Sequence, residues 1–370
     1  MGPGPTNPDA EVTAALARPL VGHLDPYFLE LMDETMASLR RLFRTTNHHT
    51  IPISGTGSCA LESIMFNLLE PGDEAVVGVI GYFGDRLAEM ARRAGATVRE
   101  IRVPLGETID PDAVARELQR APARLVAVVH AETSTGACQP LPDLARIAHE
   151  HDALLVADCV TSLAGMPVEV DAWDLDAAAS CSQKCIGAPP GLGPVTFGPR
   201  AVERIRRRRI PPQTWYTDLN LLFQYWGDAD GDRARSFHHT APVASIYAFH
   251  QALRQIHTEG LESRFERHRQ AHRYLVAGLE RLGLSLFTPE AHRLPMLNVV
   301  TIPPGVDDAL VRRRLLEQGI EIGAGFGPLK GKAWRIGLMA TNADKGRIDR
   351  LLDALENVLE AGAVGAGTSH

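Results

Sequence analysis

The chain has 370 residues, of which 45% are hydrophobic and 22% charged, and its formal net charge is −7. This length predicts two domains, and the negative charge argues against a nucleic-acid partner. The basic run "RIRRRR" (204–209) is interpreted as the solvated face of a surface helix. No stretch resembles a signal peptide, and no apolar run approaches the roughly eighteen residues of a membrane span. We therefore expect a cytoplasmic protein with no membrane partner.

From residue 50 to about 200, short apolar runs alternate with stretches of helical periodicity. The predicted strands are 50–54, 75–80, 97–103, 124–132, 153–160, 175–181 and 193–198. The predicted helices between them are 58–69, 83–95, 111–120 and 141–151. Several strands are apolar almost throughout, which is typical of a sheet covered on both faces. The alternation predicts an α/β fold with a largely parallel sheet.

After residue 200 the pattern changes to a smaller α+β region. Its predicted elements are a long helix (260–283), a strand (297–303), a helix (308–318), two strands within 320–338 and a closing helix (347–362). We predict an N-terminal arm (1–20), a large domain (21–258), a small C-terminal domain (259–362) and a disordered tail (363–370).

Cysteine and histidine spacings bear on redox state and metal binding. The five cysteines form no CxxC pair with zinc-like spacing, so we expect reduced thiols. The adjacent histidine pairs, 48–49 and 238–239, would point to opposite faces of a strand, and no acidic or cysteine ligands lie nearby in sequence. The sequence therefore predicts no metal site.

The glycine-rich segment "GTGSCA" (55–60) lies between a predicted strand and a predicted helix. It fits a dinucleotide-binding fingerprint, but that fold also needs an acid at the end of the second strand. Here Asp73 and Glu74 precede that strand instead. An anion site remains expected, because a helix N-terminus directs free N–H groups and a favourable dipole at a phosphate.

Two further residues define the chemistry expected beside this phosphate site. Asp158 ends a buried strand, at the sheet edge where open α/β folds bind ligands. Lys184 follows one strand later, in "SCSQKCIGAPPG" (180–191), among small residues that leave space beside its amine. A phosphate cradle, a carboxylate and a pocketed lysine together match the needs of pyridoxal 5′-phosphate, and Tyr82 or Phe83 could stack on its ring.

Eight motifs then carry a resemblance to a known family. They are "GPGPTNP" (2–8), "SGTGSCALE" (54–62), "LEPGD" (69–73), "HAETSTG" (130–136), "ADCVTSLAG" (157–165), "SQKCIGAPPG" (182–191), "HHTAPV" (238–243) and "RIGLMA" (335–340). In this order they resemble the class V, fold-type I aminotransferases, and within them the alanine–glyoxylate / serine–pyruvate aminotransferases. The resemblance implies the pyridoxal-phosphate-dependent transferase fold of type I, with a mostly parallel seven-stranded sheet and a smaller C-terminal domain.

The resemblance also implies roles at the cofactor. Lys184 would bond to the cofactor and act as general base, and Asp158 would pair with the pyridine nitrogen. Val160 would pack on one face of the ring and Phe83 on the other, where family members often carry tryptophan. Thr133 would hydrogen-bond the region of the ring's 3′-oxygen.

Other implied contacts concern the phosphate and the substrate. The phosphate would be held by Thr56, Gly57, Ser58, Gln183 and, in a homodimer, Thr240 of the partner subunit. Phe237 stands where close relatives have tyrosine, so a hydrogen bond from that position is not expected. The substrate would be bound by Arg335, which clamps its carboxylate, and by Gly4, His23 and Trp215.

These features predict transfer of an amino group from a small amino acid, alanine first and serine second, to glyoxylate by a ping-pong mechanism. The nearest alternative is an (S)-ureidoglycine–glyoxylate aminotransferase of purine catabolism, whose relatives grip the ureido group with side-chain amides, whereas this chain has His23 and Trp215. A lyase or cysteine desulfurase would need a cysteine on a loop in the C-terminal part, and no cysteine follows Cys185.

Overall fold

A seven-stranded sheet forms the centre of the larger part of the protein in the computed structural model, which describes residues 1–227 and 235–366. The strands of this part are β1 Thr50–Ser54, β2 Glu74–Val79, β3 Thr97–Arg102, β4 Leu125–Val129, β5 Ala131–Glu132, β6 Ala137–Cys138, β7 Leu154–Asp158, β8 Ala177–Ala179 and β9 Leu192–Phe197. The sheet order is β1-β9-β8-β7-β4-β2-β3, and β5 pairs separately with β6. Strand β9 is antiparallel to β1 and β8, and the other neighbours are parallel. The predicted fold class is confirmed.

The central strands are buried on both faces, as their apolar sequences predict. Every residue of β4, β7 and β9 is buried. The predicted strand 124–132 is interrupted at His130, whose N–H donates to the carbonyl of Asp158 at 3.0 Å. This bond connects His130, which lies between β4 and β5, to the last residue of β7.

Helices fill the connections between these strands. They are α1 Ala10–Ala15, α2 Pro26–Phe43, α3 Gly57–Leu68, α4 Tyr82–Arg93, α5 Pro111–Arg120, α6 Pro142–Glu150, α7 Pro199–Arg206, α8 Leu219–Trp226 and α9 Val243–Glu259. Several begin at aspartates that accept a hydrogen bond from a first-turn N–H, as Asp25 does from Tyr27 and Asp110 does from Asp112. None of the described helices has the length and apolar character needed to cross a bilayer.

The C-terminal part has its own hydrophobic core around a three-stranded antiparallel sheet. Its elements are α10 Leu261–Arg281, β10 Leu297–Thr301, α11 Asp308–Glu317, β11 Gly323–Ala324, β12 Ala333–Gly337 and α12 Lys345–Ala366. The strands lie in the order β10-β12-β11, and Trp334 of β12 is fully buried. We retain the division near residue 259 as a proposal, supported by the break between α9 and α10. The disordered tail was predicted to begin at residue 363, whereas helix α12 extends through Ala366. Residues 367–370 lie outside the described part.

The first six residues pass between the two cores. The carbonyl of Met1 accepts a hydrogen bond from Gly337 N–H at 2.9 Å, and Thr6 N–H donates to the carbonyl of Gln183 at 3.0 Å. A Cβ at position 337 would lie 2.2 Å from the carbonyl oxygen of Gly2, so this close approach requires glycine. The N-terminal segment is thereby held against both β12 and the segment that carries Lys184.

The arginine run 204–209 is only partly the solvated face that was predicted: Arg206, Arg207 and Arg209 are exposed, whereas Arg204 and Arg208 are half-buried. Arg204 pairs with Asp73 at 2.7 Å and with Glu70 at 2.9 Å. Arg208 donates to the carbonyls of Asn67 and Leu69 at 2.9 and 2.6 Å. Carbonyls at a helix C-terminus lack helical partners and attract cations. These arginines therefore tie the end of α7 to the end of α3.

Candidate active site

A cavity of about 190 Å³ lies where β4 and β7 end, at the carboxyl edge of the sheet. Its lining residues are Gly57, Ser58, Phe83, Arg86, Val129, Ala131, Thr133, Asp158, Val160, Thr161, Gln183 and Lys184. All the residues predicted to contact the cofactor are among them except Thr56, which directly precedes Gly57, and Thr240. Parallel strands bring their carboxyl ends to one edge, which explains how segments far apart in sequence meet here.

Lys184 lies in a distorted turn, Ser182–Ile186, which begins three residues after the end of β8. Its own backbone leaves the helical region, with φ −103° and ψ −125°, and its Nζ donates to the carbonyl of Pro3. Gly4 has φ +101°, and a Cβ there would lie 2.6 Å from Nζ, so only glycine fits beside the amine. Burial lowers the pKa of Lys184, and the charge of Arg335 acts in the same direction. The amine is therefore a candidate base.

Asp158 presents a buried carboxylate to the same cavity, with 3% of the residue exposed. Its Oδ1 accepts a hydrogen bond from Val160 N–H at 2.9 Å, and its Oδ2 lies 3.9 Å from a guanidinium nitrogen of Arg86. Burial raises the pKa of Asp158, whereas Arg86 and the Val160 N–H favour the ionised form. The carboxylate is thus placed to pair with a further positive charge in the cavity.

The N-terminus of α3 provides an anion-binding corner. Thr56 is the residue before the first helical turn, and its hydroxyl makes no capping bond. A Cβ at Gly57 would lie 2.8 Å from the Cβ of Cys181 and 3.0 Å from a methyl of Val160. A side chain at position 57 would therefore clash with these two residues. The buried Oε1 of Gln183 has no hydrogen-bond partner among the described residues. Free N–H groups at this helix N-terminus suit a phosphate, whereas the unpartnered Oε1 of Gln183 is an acceptor and suits a donor.

Glu132 was missed by the sequence reasoning, which singled out only Thr133 in this motif. Its Oε2 accepts hydrogen bonds from Phe83 N–H at 3.1 Å and Gly84 N–H at 3.3 Å, and its Oε1 accepts one from Ser134 N–H at 3.0 Å. Glu132 therefore caps α4 from a neighbouring strand, although burial raises its pKa. The cap fixes where Phe83 enters the cavity.

Arg335 approaches the cavity from β12 of the small domain. Its Nε–H donates to the carbonyl of Ala324 at 2.7 Å, and a terminal nitrogen lies 3.5 Å from the carbonyl of Thr133. The guanidinium carbon is 3.9 Å from the ring centroid of Phe326, which stacks in turn on Tyr82 at 5.0 Å. Burial lowers the pKa of Arg335 only to about 10, so the group stays cationic near neutral pH. Both hydrogen-bond partners are neutral carbonyls, and no carboxylate of the described residues forms an ion pair with Arg335, so its positive charge is available to an incoming carboxylate.

The remaining predicted residues lie outside the lining of this cavity. Trp215 is 60% exposed and stacks on His238 with 4.2 Å between ring centroids. His23 packs against Phe237, with 5.1 Å between centroids, and lines a separate groove with Thr240. Within one chain, Lys184 and these residues do not form a single site.

The histidine pairs are engaged in hydrogen bonds. His238 and His239 face each other through their Nδ1 atoms at 2.8 Å, and Nε2 of His239 lies 2.7 Å from the hydroxyl of Ser54. His48 Nε2 lies 3.1 Å from the carbonyl of Gly227. In the part of the chain that the structure describes, no three His, Cys, Asp or Glu side chains converge to hold a metal ion.

The sequence model of the family described as "Aminotransferase class-V" matches residues 11–342. The chain belongs to the class V aminotransferase family. It is 48% identical to the crystal structure of an alanine–glyoxylate aminotransferase from Nostoc sp., with a TM-score of 0.94 over 97% of this chain and 94% of that one. It is 38% identical to the (S)-ureidoglycine–glyoxylate transaminase of Bacillus subtilis over 97% of this chain and 90% of that protein. The alanine–glyoxylate aminotransferase of Rattus norvegicus is 37% identical over 97% and 87%.

These matches confirm the predicted family and identify the chain as a transaminase. They also imply pyridoxal phosphate, and the cavity of this class V aminotransferase fits that cofactor. A buried amine and a buried carboxylate face the same space, Phe83 and Val160 line it, and Gly57 and Ser58 bring the N-terminus of α3 to its wall. A site of this kind meets the cofactor's needs for a lysine, an acid and a phosphate cradle.

Proposed function

We propose that this class V aminotransferase transfers the amino group of a small amino acid, alanine first and serine second, to glyoxylate, with pyridoxal phosphate as cofactor. The observation that supports this most is that a buried amine (Lys184) and a buried carboxylate (Asp158) line one cavity, and that the guanidinium of Arg335 lies 3.5 Å from the carbonyl of Thr133 at its wall. The names of the Nostoc, Bacillus and rat relatives all include glyoxylate, which supports that acceptor.

Each of these residues has a distinct task in the proposal. When bound, pyridoxal phosphate supplies a ring that stabilises the negative charge developed at the substrate's Cα. Asp158 holds a positive charge at the ring nitrogen, and Arg335 orients the substrate through a bidentate contact with its carboxylate. Lys184, whose pKa is lowered by burial, would take the Cα proton through Nζ and pass it to the cofactor, not back to Cα, so that the amino acid leaves as its 2-oxo acid. A second 2-oxo acid reverses the sequence of proton movements, which makes the reaction ping-pong.

The charge distribution supports a small donor. Binding aspartate or glutamate would require a second free cation, because a buried unpaired carboxylate is costly. Arg86, which the sequence reasoning overlooked, lines the cavity but is already engaged with Ser58 and Asp158 on the cofactor side. The ring of Phe326 packs against Arg335 and stacks on Tyr82, and the charged groups that interact with Arg335 are Glu132 and Lys184.

Donor half-reactions test this preference. With the cofactor-loaded protein and single donors, alanine should convert the cofactor at least about a hundredfold more efficiently than aspartate or glutamate, since an unpaired distal carboxylate would be buried. The measurement is the loss of the absorbance band of the lysine-bound cofactor, and glyoxylate should restore that band. Faster conversion by aspartate or glutamate would contradict the small-donor proposal.

A second candidate is ureidoglycine as donor, favoured by the 39% identity and TM-score of 0.94 to the ureidoglycine–glyoxylate aminotransferase structure from Bacillus subtilis. We rank it second because the residues that we propose near the substrate, including Trp215, lack a side-chain amide. Ureidoglycine outperforming alanine in the same half-reaction would reverse this order. A desulfurase is disfavoured because burial raises the pKa of Cys181 and Cys185 to about 12, which keeps both thiols protonated.

We further propose a homodimer in which Thr240 completes the phosphate site of the other subunit. Its support is the exposure of Thr240, Trp215 and Phe237 on the surface of the single chain, away from Lys184. A cytoplasmic location, supported by five free cysteines, is also proposed.

The dimer proposal predicts that assembly and cofactor retention are coupled. Thr240→Val keeps the side-chain shape and removes the hydroxyl, so the dissociation constant of the cofactor should rise by roughly tenfold. Thr301→Val, at an exposed site on β10, is the control and should change nothing. Sedimentation should show a dimer at micromolar concentration. A fully active monomer would remove Thr240 from the site.

A further inference from the structure

Arg86 enters the cavity from the first turns of α4, three residues after Phe83. This spacing places both side chains on the same face of the helix, and the guanidinium carbon lies 4.7 Å from the centroid of the Phe83 ring. The side chain is 27% exposed, and its buried Nε has no hydrogen-bond partner among the described residues. Arg86 thus brings an incompletely satisfied cation to the wall of the cavity.

One terminal nitrogen of Arg86 donates to the hydroxyl oxygen of Ser58 at 3.1 Å. A serine hydroxyl has a single proton and accepts through its lone pairs. Because the guanidinium can only donate, the proton of Ser58 must point to a different acceptor. Ser58 lies in the first turn of α3, beside the backbone N–H groups of the anion-binding corner. Arg86 therefore orients the hydroxyl of Ser58 as a donor.

The charges around the cavity also single out Arg86. Lys184 and Arg86 are the basic side chains among the described residues that line it. Lys184 is needed as an uncharged amine during proton transfer, so it cannot permanently balance a phosphate dianion. The other terminal nitrogen of Arg86 lies 3.9 Å from Asp158. Arg86 consequently bridges the carboxylate of the ring-nitrogen site and the serine of the phosphate site.

We propose that Arg86 is the cation of the phosphate site, which orients Ser58 as a phosphate donor and balances the phosphate charge. The inference rests on the proposed function, because it assumes pyridoxal phosphate as the ligand. It assigns to Arg86 a positioning role that acts through Ser58, in addition to its contact with Asp158.

The test compares pyridoxal phosphate with pyridoxal, which has the same ring and no phosphate. For Arg86→Gln we expect the dissociation constant of pyridoxal phosphate to rise by roughly 10- to 100-fold, the range for loss of a charge-assisted hydrogen bond. The constant for pyridoxal should change by less than about threefold, because the ring contacts remain. Arg86→Lys keeps the charge and should recover part of the affinity. Fluorescence titration of the purified apoproteins measures the constant of each ligand for the wild type and both variants.

Arg93→Gln is the matched control, since Arg93 lies on the same helix with 69% of its side chain exposed; both affinities should stay at wild-type values. Ser58→Ala combined with Arg86→Gln should cost less than the sum of the two single changes, because the residues act together. Wild-type affinity for pyridoxal phosphate in a folded Arg86→Gln protein, equal losses for both ligands, or strict additivity would each overturn the inference while leaving the proposed function intact. If the wild-type protein itself bound no pyridoxal phosphate, both proposals would fail.

Discussion

Lys184→Ala is expected to leave the protein folded and able to bind pyridoxal phosphate but to reduce transamination by about 10²- to 10⁴-fold or more, the contribution of a general base. Nζ lies among small residues, against Gly4 and the carbonyl of Pro3, so its removal empties space without leaving a buried charge. The half-reaction with alanine, followed by stopped-flow absorbance, measures the loss. Thermal unfolding monitored by circular dichroism checks that the fold is kept.

Lys330→Ala is the control for this change, because Lys330 is exposed in the small domain and should be dispensable. Borohydride reduction of the wild-type protein should attach the cofactor to the peptide that contains residue 184, and the variant should show no such attachment. Turnover of Lys184→Ala at the wild-type rate would refute its assignment as the base. Attachment at a different lysine would refute its assignment as the cofactor-bonding residue.

Replacement of Arg335 should weaken the binding of amino acid and oxo acid alike. A charge-assisted bidentate contact with a carboxylate is worth about 2–3 kcal/mol, so Arg335→Ala should raise KM for both substrates by roughly a hundredfold. Arg335→Lys keeps the charge but not the planar fork or the stacking on Phe326, and recovery should be partial. Steady-state kinetics with alanine and glyoxylate, each varied in turn, measure the effect.

Arg313→Ala serves as the control, since Arg313 is an exposed residue of the same domain, on α11. Cofactor affinity should be nearly unchanged in both Arg335 variants, because the guanidinium is proposed to contact the substrate and not the phosphate. If Arg335→Ala altered neither half-reaction, the substrate carboxylate would have to be bound by a different group.

The positions of the strands along the chain and the identity of the central chemical groups were predictable from the sequence, whereas the order of the strands in the sheet was not. Runs such as "LLVAD", which forms β7, are apolar throughout and are buried in the structure as a covered parallel strand should be. Asp158 ends that strand, and a strand end in a parallel sheet is a ligand-facing position whatever the rest of the chain does. Lys184 was identified by its small neighbours in residues 180–191, whereas the contacts of its amine with Gly4 and Pro3 come from the N-terminal segment, which that pattern does not indicate.

Contacts between separate elements were not predictable in this way. Glu132 caps a helix that begins fifty residues earlier, and Arg86 joins Ser58 to Asp158 across α4, α3 and β7. Arg204, read as a solvated residue, instead pairs with Glu70 and Asp73. A long side chain on a helix can reach several partners, and the sequence pattern fixes only the face from which it starts.

The sequence by itself determined what depends on local periodicity and on chain direction: the strands, the helices between them, and the edge at which Asp158 and Lys184 meet. Only the tertiary structure decided which charges are neighbours, because the distance from Arg86 to Asp158, or from Arg335 to the ring of Phe326, depends on how helices and domains pack. The placement of His23, Trp215 and Thr240 outside the Lys184 cavity has the same origin. Packing within one chain holds them on another surface, so their proposed roles depend on a second subunit.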